Sequence, residues 1–207
     1  MLPPVQARFS ARPKEKLILS VGRFSRNGTQ KRQLEMVQAF ARARDTYLHG
    51  WEYWCVGGVS ESPVDKMYFS EVAHAAKGHP VRLIPNAPGQ VVKDAYERAA
   101  VFWHGAGYGV DEHLHPEQAE HFGMSTVEAM AAGCVPVVIR KGGQREIVEH
   151  AKSGFLADTL DELVSRSHEL AASPRLRETM AAAARERARV FTDLDAFADR
   201  MRALLDA

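Results

Sequence analysis

The sequence predicts a doubly wound α/β fold, in which a six-stranded, mostly parallel, Rossmann-like sheet is followed by extra C-terminal helices. Three observations predict it. Short apolar runs alternate with segments of helical periodicity along most of the 207 residues. These runs are apolar on both faces, which requires helices on both sides of a parallel sheet. Right-handed crossovers between parallel strands then make the sheet doubly wound.

The individual elements follow in order. Residues 1–15 contain Pro, Arg and Lys without apolar periodicity and are interpreted as a linker, so that the folded domain spans residues 16–207. The predicted strands lie in LILSVG, WEYWCVGG, VRLIPN, AVFWHG, CVPVVIRKGG and GFLA. The helices between them lie in KRQLEMVQAFARAR, SPVDKMYFSEVAHAAK, QVVKDAYERAA, MSTVEAMAAG and QREIVEHAK.

Helix start signals support this assignment. In the second helix, Ser62 is the predicted N-cap, Pro63 takes the first helical position and Asp65 closes a capping box. From about residue 161 onward the sequence predicts only helices, with start signals at Ser173-Pro174 and at Thr192 to Asp195.

Composition and charge exclude several classes of protein. The formal net charge is +1, and basic and acidic residues are interspersed, which argues against nucleic-acid binding and against bulk attraction to an anionic membrane. Cys55 and Cys134 lie in apolar runs and are interpreted as reduced, structural residues. Without a signal peptide or an apolar run of about 18 residues, the predicted location is the cytoplasm, with any membrane contact peripheral.

The loop after the first strand, GRFSRNGTQKR, concentrates positive charge where a parallel sheet binds ligands. It carries Arg23, Arg26, Lys31 and Arg32 and has no acidic residue. Such a cluster is typical of a diphosphate clamp and equally of a solvated turn. It is neither a GxxxxGK[ST] phosphate loop nor a G-x-G-x-x-G dinucleotide motif.

The loop after the fourth strand, HGAGYGVDEHLHPEQAEHFG, is long and polar, as functional loops often are. Glu120 lies near its end, at the predicted lip of the site. A helix should begin near Gly123 or Met124, where the free amides of Met124, Ser125 and Thr126 would form an anion site.

Glu128 stands out because its helical neighbours offer no cation. The residues three and four positions away are Met124, Ser125, Ala131 and Ala132. A packed helix would leave the carboxylate in need of a partner, and a ribose diol would supply one. The alternative is that Glu128 only complements the helix dipole.

Two further features leave alternatives open. Five residues of the long loop could converge on a metal, namely Asp111, His113, His115, Glu117 and His121. Their spacing lacks the helical pattern of a defined zinc motif, so no metal site is predicted. The pair Gly142-Gly143 predicts a tight turn, close approach of backbone amides to a ligand, or both.

The segment EHFGMSTVEAMAAGCVPVV followed by KGGQREIV resembles the signature of retaining GT-B glycosyltransferases of the sucrose-synthase-like, or glycosyl transferases group 1, family. Its two glutamates, which have seven residues between them, match Glu120 and Glu128. SVGRF resembles the first strand of that family's C-terminal domain, and the resemblance runs from Leu17 to about Phe191. It implies that an N-terminal, acceptor-binding domain is absent.

The resemblance implies transfer of a sugar from a UDP-, GDP- or similar nucleotide sugar to an acceptor hydroxyl with retention, without metal or cofactor. The implied catalytic residues are Glu120, which holds the donor sugar, and Arg23 and Lys31, which hold the diphosphate. Arg26 or Arg32 could replace Lys31. The other implied donor contacts are Ile84, Pro85 and Asn86 at the base, His121, Phe122, Gly123, Met124 and Ser125 around sugar and phosphate, and Glu128 at the ribose.

The partners implied by the resemblance are the nucleotide-sugar donor and a carbohydrate or lipid-linked acceptor, as in polysaccharide or glycolipid biosynthesis. The acceptor would bind through the absent domain, and the full-length enzyme could associate peripherally with a membrane. Two rival hypotheses stay open: a nucleotide-sugar-binding domain without independent catalytic activity, and a metal-dependent hydrolase built on the histidine-rich loop.

Overall fold

The structure is a computed structural model that describes residues 12–192. Within them, six strands and seven α-helices alternate along the chain. The strands are β1 (Glu15–Val21), β2 (Glu52–Gly57), β3 (Val81–Pro85), β4 (Ala99–His104), β5 (Val135–Ile139) and β6 (Phe155–Ala157). The helices are α1 (Gln33–Ala43), α2 (Pro63–Ala76), α3 (Gly89–Arg98), α4 (Met124–Ala131), α5 (Gln144–Ile147), α6 (Leu160–Ala172) and α7 (Pro174–Thr192).

The strands form one sheet in the order β3-β2-β1-β4-β5-β6, and all five pairings are parallel. The prediction of a doubly wound sheet with extra C-terminal helices is therefore confirmed. The strand order reverses between β1 and β4, and in open parallel sheets the crevice at such a reversal is where ligands bind.

The hydrophobic core has two layers because successive strand residues point to opposite faces of the sheet. Ile18, Tyr53 and Trp103 pack with α1, α2 and α6 on one face. Leu19 and Phe102, neighbours of Ile18 and Trp103 in sequence, pack with α3 and α4 on the other. All five side chains are buried, which explains why the strands read as unbroken apolar runs.

The N-terminal boundary lies slightly earlier than predicted. β1 begins at Glu15, which lies in the predicted linker, and the Arg98 guanidinium donates two hydrogen bonds of 2.8 Å to the Glu15 carboxylate. Lys14 is also attached to the domain, since its Nζ donates to the Tyr96 carbonyl at 2.8 Å. These contacts come from residues distant in sequence, so the local composition did not predict them.

Two helix predictions are wrong in detail. Ser62 is the N-cap of α2 and Pro63 its first residue, but no capping box forms, because the Ser60 hydroxyl donates to Asp65 at 2.6 Å. The predicted helix QREIVEHAK ends as α5 at Ile147. The chain turns there, with Ala151 in the left-handed region at φ 61°.

The predicted helix start at Thr192 to Asp195 lies at the C-terminal limit of the described residues. Thr192 is the last residue of α7, and Asp195 lies outside the described residues. No helix between residues 12 and 192 combines the length and apolar character needed to cross a bilayer.

Candidate functional site

The loop after β1 and the long loop after β4 meet at the reversal of strand order. The Lys31 ammonium, which follows β1, pairs with the Glu120 carboxylate near the end of the long loop. Close by, the Thr29 hydroxyl donates to the Glu117 carbonyl at 3.2 Å. Two residues that sequence reasoning had assigned to different parts of a site, Lys31 and Glu120, are thus in direct contact.

The Glu120 carboxylate is held from two sides. Its Oε2 contacts Lys31 Nζ and lies 3.0 Å from Nε2 of His104, the last residue of β4. Burial alone would raise the pKa of Glu120, but the contacts with His104 and Lys31 outweigh it and lower the pKa to about 2. Burial also lowers the pKa of His104. At neutral pH the site therefore contains an ionised Glu120 and a neutral imidazole.

The backbone of Glu120 is supported by the two glycines before α5. The Gly143 amide donates to the Glu120 carbonyl at 2.8 Å, and a Cβ on Gly142 would lie only 2.2 Å from that oxygen. The Gly142 amide donates to Glu112 Oε2 at 3.2 Å. These amides donate to groups of the chain itself, which supports the tight turn, and their approach to a ligand stays a prediction.

The turn that presents Arg23 is fixed by contacts with buried groups. The Gln33 side-chain amide donates to the carbonyls of Gly22 and Arg23 at 3.0 and 2.9 Å. The Gly22 amide donates to the Val56 carbonyl at 2.9 Å. Arg23 itself is exposed and forms no ion pair with any residue from 12 to 192. Its guanidinium is therefore available at the carboxyl end of β1.

The other two arginines of the cluster have partners within the protein. Arg26 pairs with Glu71 on α2 and lies 5.0 Å from the centre of the Tyr68 ring. Arg32 pairs with Glu35 at 3.1 Å. Arg26 and Arg32 therefore form ion pairs within the domain, whereas Arg23 forms none among the described residues.

Gly57 sets how closely β2 approaches the Arg23 turn, and this leads to a stability prediction. A Cβ on Gly57 would lie 1.9 Å from the Gly22 carbonyl oxygen, whereas one on Gly58 would meet nothing nearer than 3.7 Å. We expect Gly57→Ala to destabilise the chain by roughly 1–3 kcal/mol, as overpacking does. Gly58→Ala is the matched control, and thermal unfolding of both variants measures the difference. Equal melting temperatures would contradict the predicted clash.

Glu128 lies on α4, and its carboxylate accepts a hydrogen bond at only one of its two oxygens among the described residues. The Tyr96 hydroxyl donates to Glu128 Oε2 at 2.9 Å. Burial raises the pKa of Glu128, and the Tyr96 hydrogen bond only partly opposes this. No cation pairs with Glu128 in the described part of the chain, as its sequence neighbours had indicated. A half-buried carboxylate with a single donor retains capacity for ligand hydroxyls.

The start of α4 was predicted closely. Gly123 is the N-cap at φ 92°, and α4 begins at Met124. The Thr126 amide donates to the Gly123 carbonyl at 2.9 Å, so the expectation that it is free is wrong. Met124 and Ser125 amides have no hydrogen-bond acceptor among residues 12–192. The predicted anion site is thus reduced to two amides.

The remaining residues predicted to bind the donor have different environments. His121 is exposed, and Phe122 packs edge-on against Phe191 with ring centroids 6.0 Å apart. At the end of β3, Asn86 adopts φ 50°, and its side-chain oxygen accepts from the Val59 amide at 2.9 Å.

Two other residues at the end of β3 were predicted to contact the base. Ile84 is half-buried and packs against the core beneath α3. Pro85 is exposed. The Asn86 side chain is hydrogen-bonded to the segment that follows β2 and so stabilises the local fold. The backbone contacts of residues 84–86 with the base stay a prediction.

The histidine-rich loop does not bring its candidate ligands together. Between residues 12 and 192, no group of three or more His, Cys, Asp or Glu side chains is close enough to hold a metal ion. His115 lies 3.5 Å from Glu117, and the His113 amide donates to Asp111 at 2.9 Å, so these residues form local pairs.

Sequence reasoning missed four residues of this site: Gln33, Tyr96, His104 and Gln144. Only His104 carried a usable signal, because a polar residue at the carboxyl end of a buried strand faces the ligand crevice of a parallel sheet. The others lie in ordinary helical patterns, and their contacts join residues distant in sequence.

The fold and this arrangement of cations, carboxylates and a helix start define a Rossmann-like domain of the GT-B glycosyltransferase type. Residues 5–187 match the family described as glycosyl transferases group 1. The chain belongs to that family.

Three known proteins are similar to this chain. A GDP-Man:Man(3)GlcNAc(2)-PP-Dol alpha-1,2-mannosyltransferase of Xenopus tropicalis is 27% identical over 186 residues, which cover 86% of this chain and 36% of the relative. Sucrose-phosphate synthase of Thermosynechococcus elongatus superposes with a TM-score of 0.72 at 23% identity, over 92% of this chain and 44% of that one.

The third is the C-terminal domain of LpcC, a glycosyl transferase group 1 family protein of Francisella tularensis. It superposes with a TM-score of 0.65 at 19% identity, over 92% of this chain and 94% of that one. At these identities the solved structures establish the fold alone. The chain spans about a third of the length of the mannosyltransferase relative.

Proposed function

We propose that this chain is the donor-binding half of a retaining glycosyltransferase that transfers a sugar from a nucleoside diphosphate to an acceptor hydroxyl. One observation carries the proposal. The signature glutamate Glu120 contacts the cation Lys31 at the point where strand order reverses, with Glu128 nearby on the helix that begins after Glu120. An anionic donor needs cations and helix amides there, and its sugar and ribose need hydroxyl acceptors.

The proposed roles follow from charge and accessibility. Arg23 is exposed and unpaired among the described residues, so it binds the diphosphate, together with the Met124 and Ser125 amides. Glu128 accepts hydrogen bonds from the ribose, and Glu120 accepts one from the transferred sugar. Base contacts are assigned to the backbone of residues 84–86.

The proposed chemistry is electrostatic. As the bond between the anomeric carbon and the diphosphate oxygen breaks, negative charge grows on the leaving group, and Arg23 and Lys31 stabilise it more than they stabilise the ground state. Lys31 is shared with Glu120, which orients it. The proposal includes no metal or cofactor and no covalent intermediate on Glu120.

The donor and acceptor classes are suggested by the relatives. The Xenopus protein is named as a GDP-mannose transferase acting on a dolichol-linked oligosaccharide. We therefore propose GDP-mannose as the first donor to test, with UDP-glucose as a comparison donor that differs in base and sugar, and a glycolipid or other carbohydrate acceptor bound by a separate domain.

Isothermal titration calorimetry of the full 207-residue chain tests the proposal. The probes are GDP-mannose, UDP-glucose, GDP, UDP, free mannose, and NAD as a dinucleotide control, each with and without EDTA. We expect one nucleotide sugar and its diphosphate to bind, free mannose and NAD not to bind, and EDTA to change nothing. Absence of binding by every nucleotide sugar and diphosphate would refute the function.

A transfer assay separates the proposal from its binding-only rival. Release of GDP or UDP is followed with the chain alone and with a full-length protein containing an acceptor domain, and NMR of the product gives its anomeric configuration. Release by the full-length protein with retention supports the enzyme. Binding without release in either form supports a binding domain instead.

A further inference from the structure

The Glu120 carboxylate uses one oxygen for its protein contacts and leaves the other open. Both Lys31 Nζ and His104 Nε2 contact Oε2. Oε1 has no hydrogen-bond or ion-pair partner among residues 12–192. The Glu120 side chain is only 14% exposed, so its orientation depends on these two neighbours.

The contacts of His104 determine which of its nitrogens carries the proton. Burial favours the neutral ring, which has one donor and one acceptor nitrogen. Nε2 lies 3.0 Å from a carboxylate oxygen and carries the proton in this electrostatic contact, although its N–H is not aligned with Oε2 as in a hydrogen bond. Nδ1 is then the acceptor, and the nearest polar group to it is the Gln144 side-chain amide nitrogen, a donor 3.5 Å away. The Gln144 amide therefore supports the same tautomer that the contact with Glu120 favours.

Gln144 is itself fixed at the start of α5. It is fully buried, and its amide nitrogen would lie 2.6 Å from a Cβ on Gly123, so it packs directly beneath the start of α4. The preceding residue, Gly143, donates to the Glu120 carbonyl. The segment Gly143-Gln144 therefore supports both the backbone and, through His104, the carboxylate of Glu120.

We propose that His104 and Gln144 are positioning residues for the donor sugar. Gln144 stabilises the Nε2–H tautomer of His104, His104 and Lys31 contact Glu120 Oε2, and Glu120 Oε1 is thereby presented to a hydroxyl of the transferred sugar. The proposal rests on the proposed function of Glu120. It assigns to this buried pair the selection of the sugar moiety, whereas the diphosphate is bound by other residues.

Two substitutions with similar volume test the role of His104. His104→Phe keeps a ring and removes the donor, whereas His104→Gln keeps an N–H near the position of Nε2. Calorimetry compares GDP-mannose with GDP, and UDP-glucose with UDP. We expect His104→Phe to lose about tenfold or more in affinity for the nucleotide sugar and less than about twofold for the diphosphate, with His104→Gln close to the original protein.

Nitrogen NMR of the His104 ring supplies a readout independent of ligand. We expect a neutral ring protonated at Nε2 at pH 7 and at pH 8, and a smaller fraction of that tautomer in Gln144→Leu. A ring protonated at Nδ1, or one carrying both protons at pH 7, would overturn the proposal.

The binding outcomes are distinct. Equal losses of nucleotide sugar and diphosphate in His104→Phe, or no loss of either, overturn the positioning role and leave the proposed function intact. If the original chain binds neither class of ligand, the proposed function fails and this inference fails with it. If His104→Phe unfolds, the test rests on His104→Gln and Gln144→Leu. A loss of nucleotide-sugar affinity in Gln144→Leu with retained diphosphate affinity supports the positioning role. Equal losses of affinity for both ligands refute it.

Discussion

Replacing Glu128 by glutamine is expected to lower the affinity for the nucleotide sugar by about a hundredfold, or about 2.7 kcal/mol. A carboxylate accepts from both hydroxyls of a ribose, and hydrogen bonds to a charged group contribute more than neutral ones. Glutamine has nearly the same shape but offers one acceptor and places a donor in the other position. Calorimetry with GDP-mannose and UDP-glucose measures the loss.

The same variant should not be less stable than the original chain at pH 7. Burial raises the pKa of Glu128 in the folded state, so the folded chain binds more protons than the unfolded one between the two pKa values. The free energy of unfolding therefore falls as pH rises through that range. At pH 7 Glu128 is ionised, and the folded state bears the full penalty of burying its charge. Glutamine removes the charge and can still accept from Tyr96.

Glu178→Gln, at an exposed position on α7, is the matched control for Glu128→Gln. It should change neither the affinity nor the melting temperature. A large loss of stability in Glu128→Gln with unchanged affinity would mean that Glu128 acts only within the helix, which was the alternative that the sequence left open.

The sheet was predictable because its strands are buried on both faces and its connections are helical. Continuous apolar runs such as AVFWHG are typical of interior strands of a covered sheet, and right-handed crossovers make that sheet doubly wound. The order of the strands did not follow from the sequence, because several orders are compatible with right-handed crossovers. The end of α5 was not predictable in this way. The segment after Ile147 keeps a helical pattern, but the Ser153 hydroxyl accepts from the Glu149 amide at 2.9 Å and favours a turn.

The site was predictable only in part, for a similar reason. Glu120, Glu128 and the start of α4 follow from a local motif whose residues lie within one segment. The partners of these glutamates do not, because Tyr96 reaches Glu128 from a helix 32 residues earlier. The Lys31–Glu120 pair joins two loops that sequence reasoning had identified separately, and only the sheet topology brings them together.

The cation cluster illustrates what geometry adds to composition. Arg23, Arg26, Lys31 and Arg32 were interchangeable as charges in the sequence. In the structure, three of them form ion pairs with carboxylates, whereas Arg23 forms none among the described residues and acts on Asp65 only through its charge at longer range. An arginine that already pairs with an acid loses that interaction when it binds a phosphate, so the unpaired one should contribute most.

Arg23→Ala is accordingly expected to weaken GDP or UDP binding by about 10- to 100-fold, the effect of losing one charge-assisted contact of roughly 1.5–3 kcal/mol. Guanosine or uridine, which lack the diphosphate, should bind the variant and the original chain equally. Calorimetry at two salt concentrations measures both, and the original chain should lose more affinity than the variant as salt rises, because exposed charges are screened.

Arg26→Ala is the matched comparison for Arg23→Ala, since its guanidinium pairs with Glu71 and lies over Tyr68. We expect it to leave diphosphate affinity within about twofold and to act, if at all, on thermal stability, because an exposed ion pair contributes little. If Arg23→Ala lowers nucleoside and diphosphate affinity equally, the diphosphate role of Arg23 is wrong. If Arg26→Ala instead shows the diphosphate-specific loss, the Arg26–Glu71 ion pair must break when the ligand binds. Arg26, and not Arg23, then binds the diphosphate.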